Sequence, residues 1–243
     1  MTGTYRFADR VVSITSVYED VHIMCRGYEA DGTPDITVNT DERHIAAERE
    51  RSAKNDIAEG RKVQLFSNGY LETLAVYRQI AEAMPAFDTV LFHGSVIAVD
   101  GKAYIFTAKS GTGKSTHTRL WRELLGDRAV MVNDDKPLLS VKDGVVYAYG
   151  TPWNGKHRLG ENICCPVRAL AVLHRGEENS ISPISVQQAY PVCMQQMYRP
   201  SSGIALSKSM GLLDGMLGSI GLFRLYCNMD ILAAKTAYEA MSK

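Results

Sequence analysis

Lys102-Ala-Tyr-Ile-Phe-Thr-Ala108-Lys-Ser-Gly-Thr-Gly-Lys-Ser-Thr116 is the stretch whose reading decides the fold. Its first half is a short β-rich run, and its second half is a loop of small residues. A helix is expected from about Lys114 to Leu125, with Leu120, Trp121, Leu124 and Leu125 apolar and Gly126 just past its end. Small residues between a strand and a helix let backbone N–H groups turn inward and surround phosphate oxygens, and the helix adds its positive end. Gly111 and Gly113 supply the backbone freedom for that turn. Ser110, Gly111, Thr112, Gly113, Lys114, Ser115 and Thr116 are therefore the candidate phosphate contacts. Lys114 can reach the β- and γ-phosphates, and Ser115 can offer its hydroxyl to Mg²⁺. The usual pattern has glycine at the first position, where this chain has Ala108, so the loop is expected to start with different geometry. The bland alternative is a glycine-rich turn carrying a surface lysine. The strand before, the helix after and an acidic pair downstream favour phosphate.

Working outward, Val90–Asp100 is a second β-rich run, joined to the first by Asp100-Gly101, a strong hairpin dipeptide. Downstream, Ala-Val-Met-Val-Asn (129–133) reads as a buried strand that ends in Asp134-Asp135, nineteen and twenty residues after Ser115. A helix returning to a strand beside the loop would bring both carboxylates to the phosphates. Two adjacent acids permit a division of labour, one toward Mg²⁺ and one toward an attacking hydroxyl. On its own, the triplet Asn133-Asp-Asp135 would read as a solvated turn. His93-Gly94 lies inside the run Val90–Asp100, and spacing does not decide between a satisfied half-buried histidine and a catalytic neighbour. Val145–Gly150 and Ala169–His174 again look like strands, and Asp230–Met241 like a closing helix. The hairpin makes this α/β texture with a mixed rather than purely parallel sheet.

The first eighty-odd residues differ in texture. Strand-like pieces occur at Val11–Thr15 and Ile36–Val38, and the run 41–62 mixes charges at helical spacings, as a solvated helix does. Apolar residues from Leu71 to Met84 recur at helical intervals and Pro85 follows. This divides the chain into an N-terminal α/β region, 1–85, and a nucleotide-binding domain, 86–243. Twenty-seven basic residues offset twenty-seven acidic ones, so no global field steers the protein to nucleic acid or an anionic membrane. The five cysteines have no Cys-x-x-Cys spacing, which argues against a disulfide framework or a thiolate metal site and for buried free thiols. The N-terminus has no apolar run of signal-peptide length, and 203–223 is broken by Lys208, Asp214 and glycines. A cytoplasmic protein is expected, with homo-oligomerisation left open.

Gly150-Thr-Pro-Trp-Asn-Gly-Lys-His-Arg-Leu-Gly160 reads as a structured loop that clusters Lys156, His157 and Arg158. A guanidinium can stabilise charge spread over a transferring phosphoryl group, which makes Arg158 a candidate. A solvated basic loop with Trp153 packed on the core is the alternative. Arg168, Arg175 and Arg199 rank behind Arg158.

His93-Gly94, a hairpin, Ser110–Thr116 and the Asp134-Asp135 pair, in this order, resemble the HPr kinase/phosphorylase family and, more distantly, phosphoenolpyruvate carboxykinase. The resemblance covers roughly 88–240. It implies a phosphate loop inserted in a mixed sheet, as in the HPr kinase C-terminal domain, with His93 facing the aspartates. It further implies Asp134 as base for the acceptor hydroxyl and Asp135 as metal ligand. The expected cofactors are ATP or a related nucleotide and Mg²⁺. The acceptor is a serine-type hydroxyl on a protein, peptide or small molecule. The match does not extend to the family's long glycine-rich stretch for recognising HPr, so the acceptor stays open. A nucleotide-sensing module and a simple hydrolase are the rival readings.

Overall fold

The structure, a computed structural model, describes every residue except Glu59 and Lys156. It divides into two compact units, Met1–Ala83 and Met84–Lys243. In the first, β1 (Thr2–Phe7) and β2 (Arg10–Thr15) form an antiparallel hairpin. Ala8 and Asp9 both take positive φ at its turn, the geometry that matches the twist of a two-residue hairpin. A short α1 (Asp20–Met24) follows, and then β3 (Ile36–Asn39), which pairs parallel with β2. Two helices, α2 (Glu42–Ala58) and α3 (Asn68–Ala83), complete the unit. The charged run does form a helix, but it is not uniformly solvated. Glu48 and Asp56 are buried because arginines and backbone amides neutralise them.

The second unit is a curled mixed sheet with helices on both faces. A 3₁₀ turn at Met84–Phe87 leads into β4 (Thr89–Leu91) and β5 (Ser95–Val99). The run 90–100 is thus two strands rather than one, and His93-Gly94 lies in the break between them. Gly94 is needed there, since a Cβ would sit 3.2 Å from the Phe106 carbonyl oxygen. β5 forms the expected hairpin with β6 (Lys102–Thr107), and Asp100 and Gly101 both take positive φ. The chain continues through α4 (Lys114–Leu125), β7 (Ala129–Asn133), β8 (Leu138–Lys142), β9 (Val145–Tyr149) and the long β10 (Cys164–Arg175). It closes with β11 (Ser180–Pro183), α5 (Val186–Gln196), α6 (Gly203–Ser219), β12 (Gly221–Cys227) and α7 (Ile231–Met241).

The sheet order is β4-β8-β9-β10-β6-β5-β7, and β12 joins along β10 and carries β11. β10 pairs antiparallel with β9 at its start and parallel with β6 and β12 further on, so one strand links the two halves of the sheet. Strand alternation sorts the core into two layers. Ile97, Val99, Tyr104 and Phe106 pack on α4 and α7 through Trp121, Leu120 and Ala234. Val96, Ala98, Ala103 and Ile105 point the other way, toward Cys193 of α5 and Leu213 of α6. Four cysteines are buried free thiols, but Cys164 is exposed because it starts β10 on an outward-facing position. No helix among the described residues is long and apolar enough to cross a membrane.

Candidate functional site

Strand directions bring the acidic pair to the phosphate loop. β5 runs antiparallel to both β6 and β7, so β6 and β7 end at the same edge of the sheet and β5 begins there. The loop Ala108–Gly113 leaves the end of β6, Asp134 and Asp135 leave the end of β7, and Ser95 opens β5. Ser110, Gly111, Gly113, Lys114, Ser115 and Thr116 line one cavity of about 570 Å³ together with His93, Asp134, Asp135, Gly155 and His157.

Within the loop, Gly111 and Gly113 have φ of 77° and 126°, conformations an L side chain rarely adopts. Ala108 is buried and does not have positive φ, so its methyl is compatible with the backbone here. Thr112 closes the turn, its hydroxyl donating to the Lys109 carbonyl at 2.8 Å. Lys114 is the first residue of α4 and is buried, not at a solvent-facing loop end. Its ammonium donates to the Ala108 carbonyl at 3.1 Å. Burial holds the Lys114 pKa below the usual lysine value, and Asp135 opposes that shift. Arg175 clamps the loop from outside, donating to the carbonyls of Gly111 at 2.5 Å and Thr112 at 3.2 Å.

The two aspartates sit in different surroundings. Asp134 is buried and accepts a 2.6 Å hydrogen bond on Oδ1 from the Ser95 hydroxyl, which in turn lies 3.0 Å from the Thr118 hydroxyl. Gly155 approaches its other oxygen so closely that a Cβ would stand 3.0 Å from Oδ2. Asp135 is more open and has Lys136 Nζ at 3.3 Å. The turn between strand and pair is shaped by Asn133, fully buried, whose side-chain oxygen accepts from the amides of Asp135 at 2.8 Å and Lys136 at 2.7 Å. Its amide group donates to the carbonyl and hydroxyl of Thr151. Asn133 was legible only as a turn residue, and the partner that makes it structural is eighteen residues away.

His93 does face the pair, with Nε2 3.5 Å from Asp135 Oδ1. Its Nδ1 lies 2.6 Å from Gln196 Oε1. A neighbouring carboxylate raises a histidine's pKa, but here it is lowered to about 4. Burial dominates, and the nearby cations Lys136 and Lys114 outweigh Asp135. His93 is neutral at pH 7, so Nδ1–H donates to Gln196 and the Nε2 lone pair faces the cavity.

Of the cationic loop, His157 lines the cavity and Arg158 does not. Arg158 is exposed, with φ of 47°. Lys156 lies outside the described residues. Arg168 hydrogen-bonds the chain end at Lys243, and Arg199 is exposed on the connection between α5 and α6. Trp153 is buried, as expected of a packing residue.

Ser115 and Asp135 present hard oxygen donors to the cavity, the chemistry Mg²⁺ prefers. Among the described residues no group of three or more His, Cys, Asp or Glu could hold a metal by itself. That suits an ion that takes one or two protein oxygens and completes its shell with phosphates and water.

No protein family model matches the chain, and no curated protein matches it. Among solved structures, the Hpr(Ser) kinase/phosphatase from Coxiella burnetii is similar, with 10% sequence identity and a TM-score of 0.35. The match covers 62% of this chain and 95% of that one.

Proposed function

We propose that the unit Met84–Lys243 is a kinase domain that transfers the terminal phosphoryl group of ATP or a related nucleotide to a hydroxyl acceptor. The observation that carries this reading is a single cavity walled by the phosphate loop on one side and by Asp134, Asp135 and His93 on the other. The amides of Ser110–Thr116 and the ammonium of Lys114 would hold the phosphates. Ser115 and Asp135 would hold Mg²⁺, which when bound neutralises charge shared between the β- and γ-phosphates.

Asp134 is the candidate base. Ser95 fixes its Oδ1, and Oδ2 carries no hydrogen bond from the described residues, so it can accept the acceptor's proton. A sensor would bind nucleotide at the same loop but has no use for such a base beside the metal ligand. His93, neutral, accepts rather than donates at the cavity and adds no charge beside Asp135.

Calorimetric titration with Mg-ATP, followed by a transfer assay, tests the reading. Because the Lys114 stem is buried, Lys114→Met is the informative variant: it keeps the packing and removes the ammonium. Loss of Mg-ATP binding in a folded Lys114→Met protein is expected. Wild-type affinity in that variant sinks the phosphate-loop assignment.

A further inference from the structure

A second cavity, of about 370 Å³, runs along α4 and adjoins the phosphate cavity. It shares Ser115, Thr116, Asp134 and His157 with the phosphate cavity and is otherwise lined by Thr118, Arg119, Arg122, Met131 and Leu159. Asp134 is therefore a common wall, reachable from the nucleotide side and from this one. Ser115, Arg119 and Arg122 are spaced four and three apart, so they occupy one stripe of the helix. At 1.5 Å rise per residue the stripe runs about 10 Å from the phosphate loop. Arg119 is paired with Glu123, whereas Arg122, half-buried, makes no side-chain hydrogen bond or ion pair among the described residues. A half-buried, unpaired guanidinium beside a second arginine and a histidine is a site built for an anion.

We propose that this second cavity binds the phosphoryl acceptor, and that the acceptor carries an anionic group on the same small skeleton as its hydroxyl. The inference rests on the kinase reading and adds the class of substrate. Arg122 and Arg119 hold the anion, and the hydroxyl lies where the two cavities meet at Ser115, Thr116 and Asp134, within reach of both Asp134 and the γ-phosphate. In the transfer, the acceptor oxygen forms a bond to the γ-phosphorus and gives its proton to Asp134. The bond from that phosphorus to the β–γ bridging oxygen breaks, and its electron pair leaves on the nucleoside diphosphate. In-line displacement needs the acceptor and leaving oxygens on opposite faces of the γ-phosphorus, and two adjoining cavities that share Ser115, Thr116 and Asp134 can seat them so. Either a free metabolite or the terminal carboxylate of a peptide can supply the anion, and the chemistry at Arg122 is the same for both.

The test uses the full chain, Mg-ATP and paired acceptors in which the anionic group is present (the charged member) or absent (the neutral member). The pairs are L-serine with L-serinamide, glycerol 3-phosphate with glycerol, and a short peptide ending in serine as free acid or amide. Mass spectrometry reads the phosphorylated product, and calorimetry reads Mg-ATP affinity separately. At least one charged member should be used 10-fold or more above its neutral partner, the worth of a hydrogen bond to a charged group. The pair that shows the preference identifies the source of the anion. Arg122→Gln should abolish the preference while Mg-ATP affinity holds, and Arg122→Lys should restore part of it. The acceptor inference is overturned if Mg-ATP binds but neutral members are used equally, if no charged member is phosphorylated, or if the preference survives in Arg122→Gln. Absence of Mg-ATP binding removes the kinase reading itself, and this inference with it.

Discussion

The two units use buried carboxylates in opposite ways. In Met1–Ala83, Glu72 is 1% exposed and both its oxygens are engaged. It accepts from the amides of Val17 at 2.7 Å and Tyr18 at 2.8 Å and from the Thr40 hydroxyl at 2.6 Å. Glu48 is held by Arg51 and Arg78, and Asp56 by Arg61 and the Gln64 amide. These groups tie β2, β3 and the helices together and offer nothing to a ligand. In Met84–Lys243, Asp134 accepts a single hydroxyl and lines two cavities. Burying a charge costs heavily unless it is fully paired, so a partly paired buried carboxylate at a cavity wall points to chemistry rather than to structure.

Neutralising one carboxylate of each kind puts that contrast at risk. Asp134→Asn should lower phosphoryl transfer by roughly 10²–10⁴-fold, the usual worth of a general base, with Mg-ATP affinity and melting temperature near wild type. Asp135→Asn should instead weaken Mg²⁺-dependent nucleotide binding. Transfer assays and calorimetry on both variants check this, and identical metal dependence and turnover would show that the two acids share one role.

Glu72→Ala should do the reverse. It strands two backbone amides and a hydroxyl, each costing about 1–3 kcal/mol when left buried and unpaired. The unit Met1–Ala83 should melt lower by more than about 10 °C, at roughly 4–8 °C per kcal/mol for a domain of this size. Differential scanning calorimetry reads the loss. If Glu72→Ala melts like wild type, saturation of hydrogen bonds is not what distinguishes the two sets of carboxylates.

Much of the second unit was legible because its signals are local. The Asp100-Gly101 hairpin, the helix from Lys114 to Leu125 and the strand 129–133 each announce themselves by turn chemistry, period or a short apolar run. The helices α5 and α6 and the strands β8, β11 and β12 were not read. Their apolar residues face one layer of a sheet whose order depends on long-range pairing, which no short window contains. The burial of Lys114 is not legible in the sequence for a related reason, since its position at the start of α4 under the carbonyl of Ala108 follows from the closed loop and not from the composition. The direction of the His93 shift also lay beyond sequence, because it depends on two lysines that converge only in the fold.

His117 provides a smaller test of the same contrast between paired and open groups. It is buried in α4 with Nε2 accepting from Trp121 Nε1 at 3.0 Å, while Nδ1 has no partner. Burial lowers its pKa to about 4 from an ordinary 6.5. Between those values the unfolded chain binds the proton and the folded protein does not, so stability falls as pH drops from about 6.5 to about 4. One such site contributes a slope of up to about 1.4 kcal/mol per pH unit. His93 should act in the same direction. Urea unfolding of wild type and His117→Gln across that window should show a shallower pH dependence in the variant, and equal slopes would place the His117 proton elsewhere.

The smallest effect is expected at Ser95, which touches Asp134 but none of the reacting atoms and is therefore a positioning residue. Its hydroxyl donates to Oδ1, so Ser95→Ala should loosen the orientation of the Asp134 carboxylate. A hydrogen bond of this kind is worth about 0.5–1.5 kcal/mol, or a few-fold to about 10-fold in rate. A merely structural role would lower the melting temperature and leave kcat per folded molecule alone. The positioning role predicts a lower kcat per folded molecule with an unchanged KM for Mg-ATP. Because Ser95 is fully buried beside Thr118, the methyl of alanine fits the space without forcing the strand. Steady-state kinetics, normalised to folded protein, separate the two. A wild-type kcat per folded molecule in Ser95→Ala would mean that the Ser95 hydrogen bond does not position the base, and that the role of Asp134 rests on its place at the cavity wall alone.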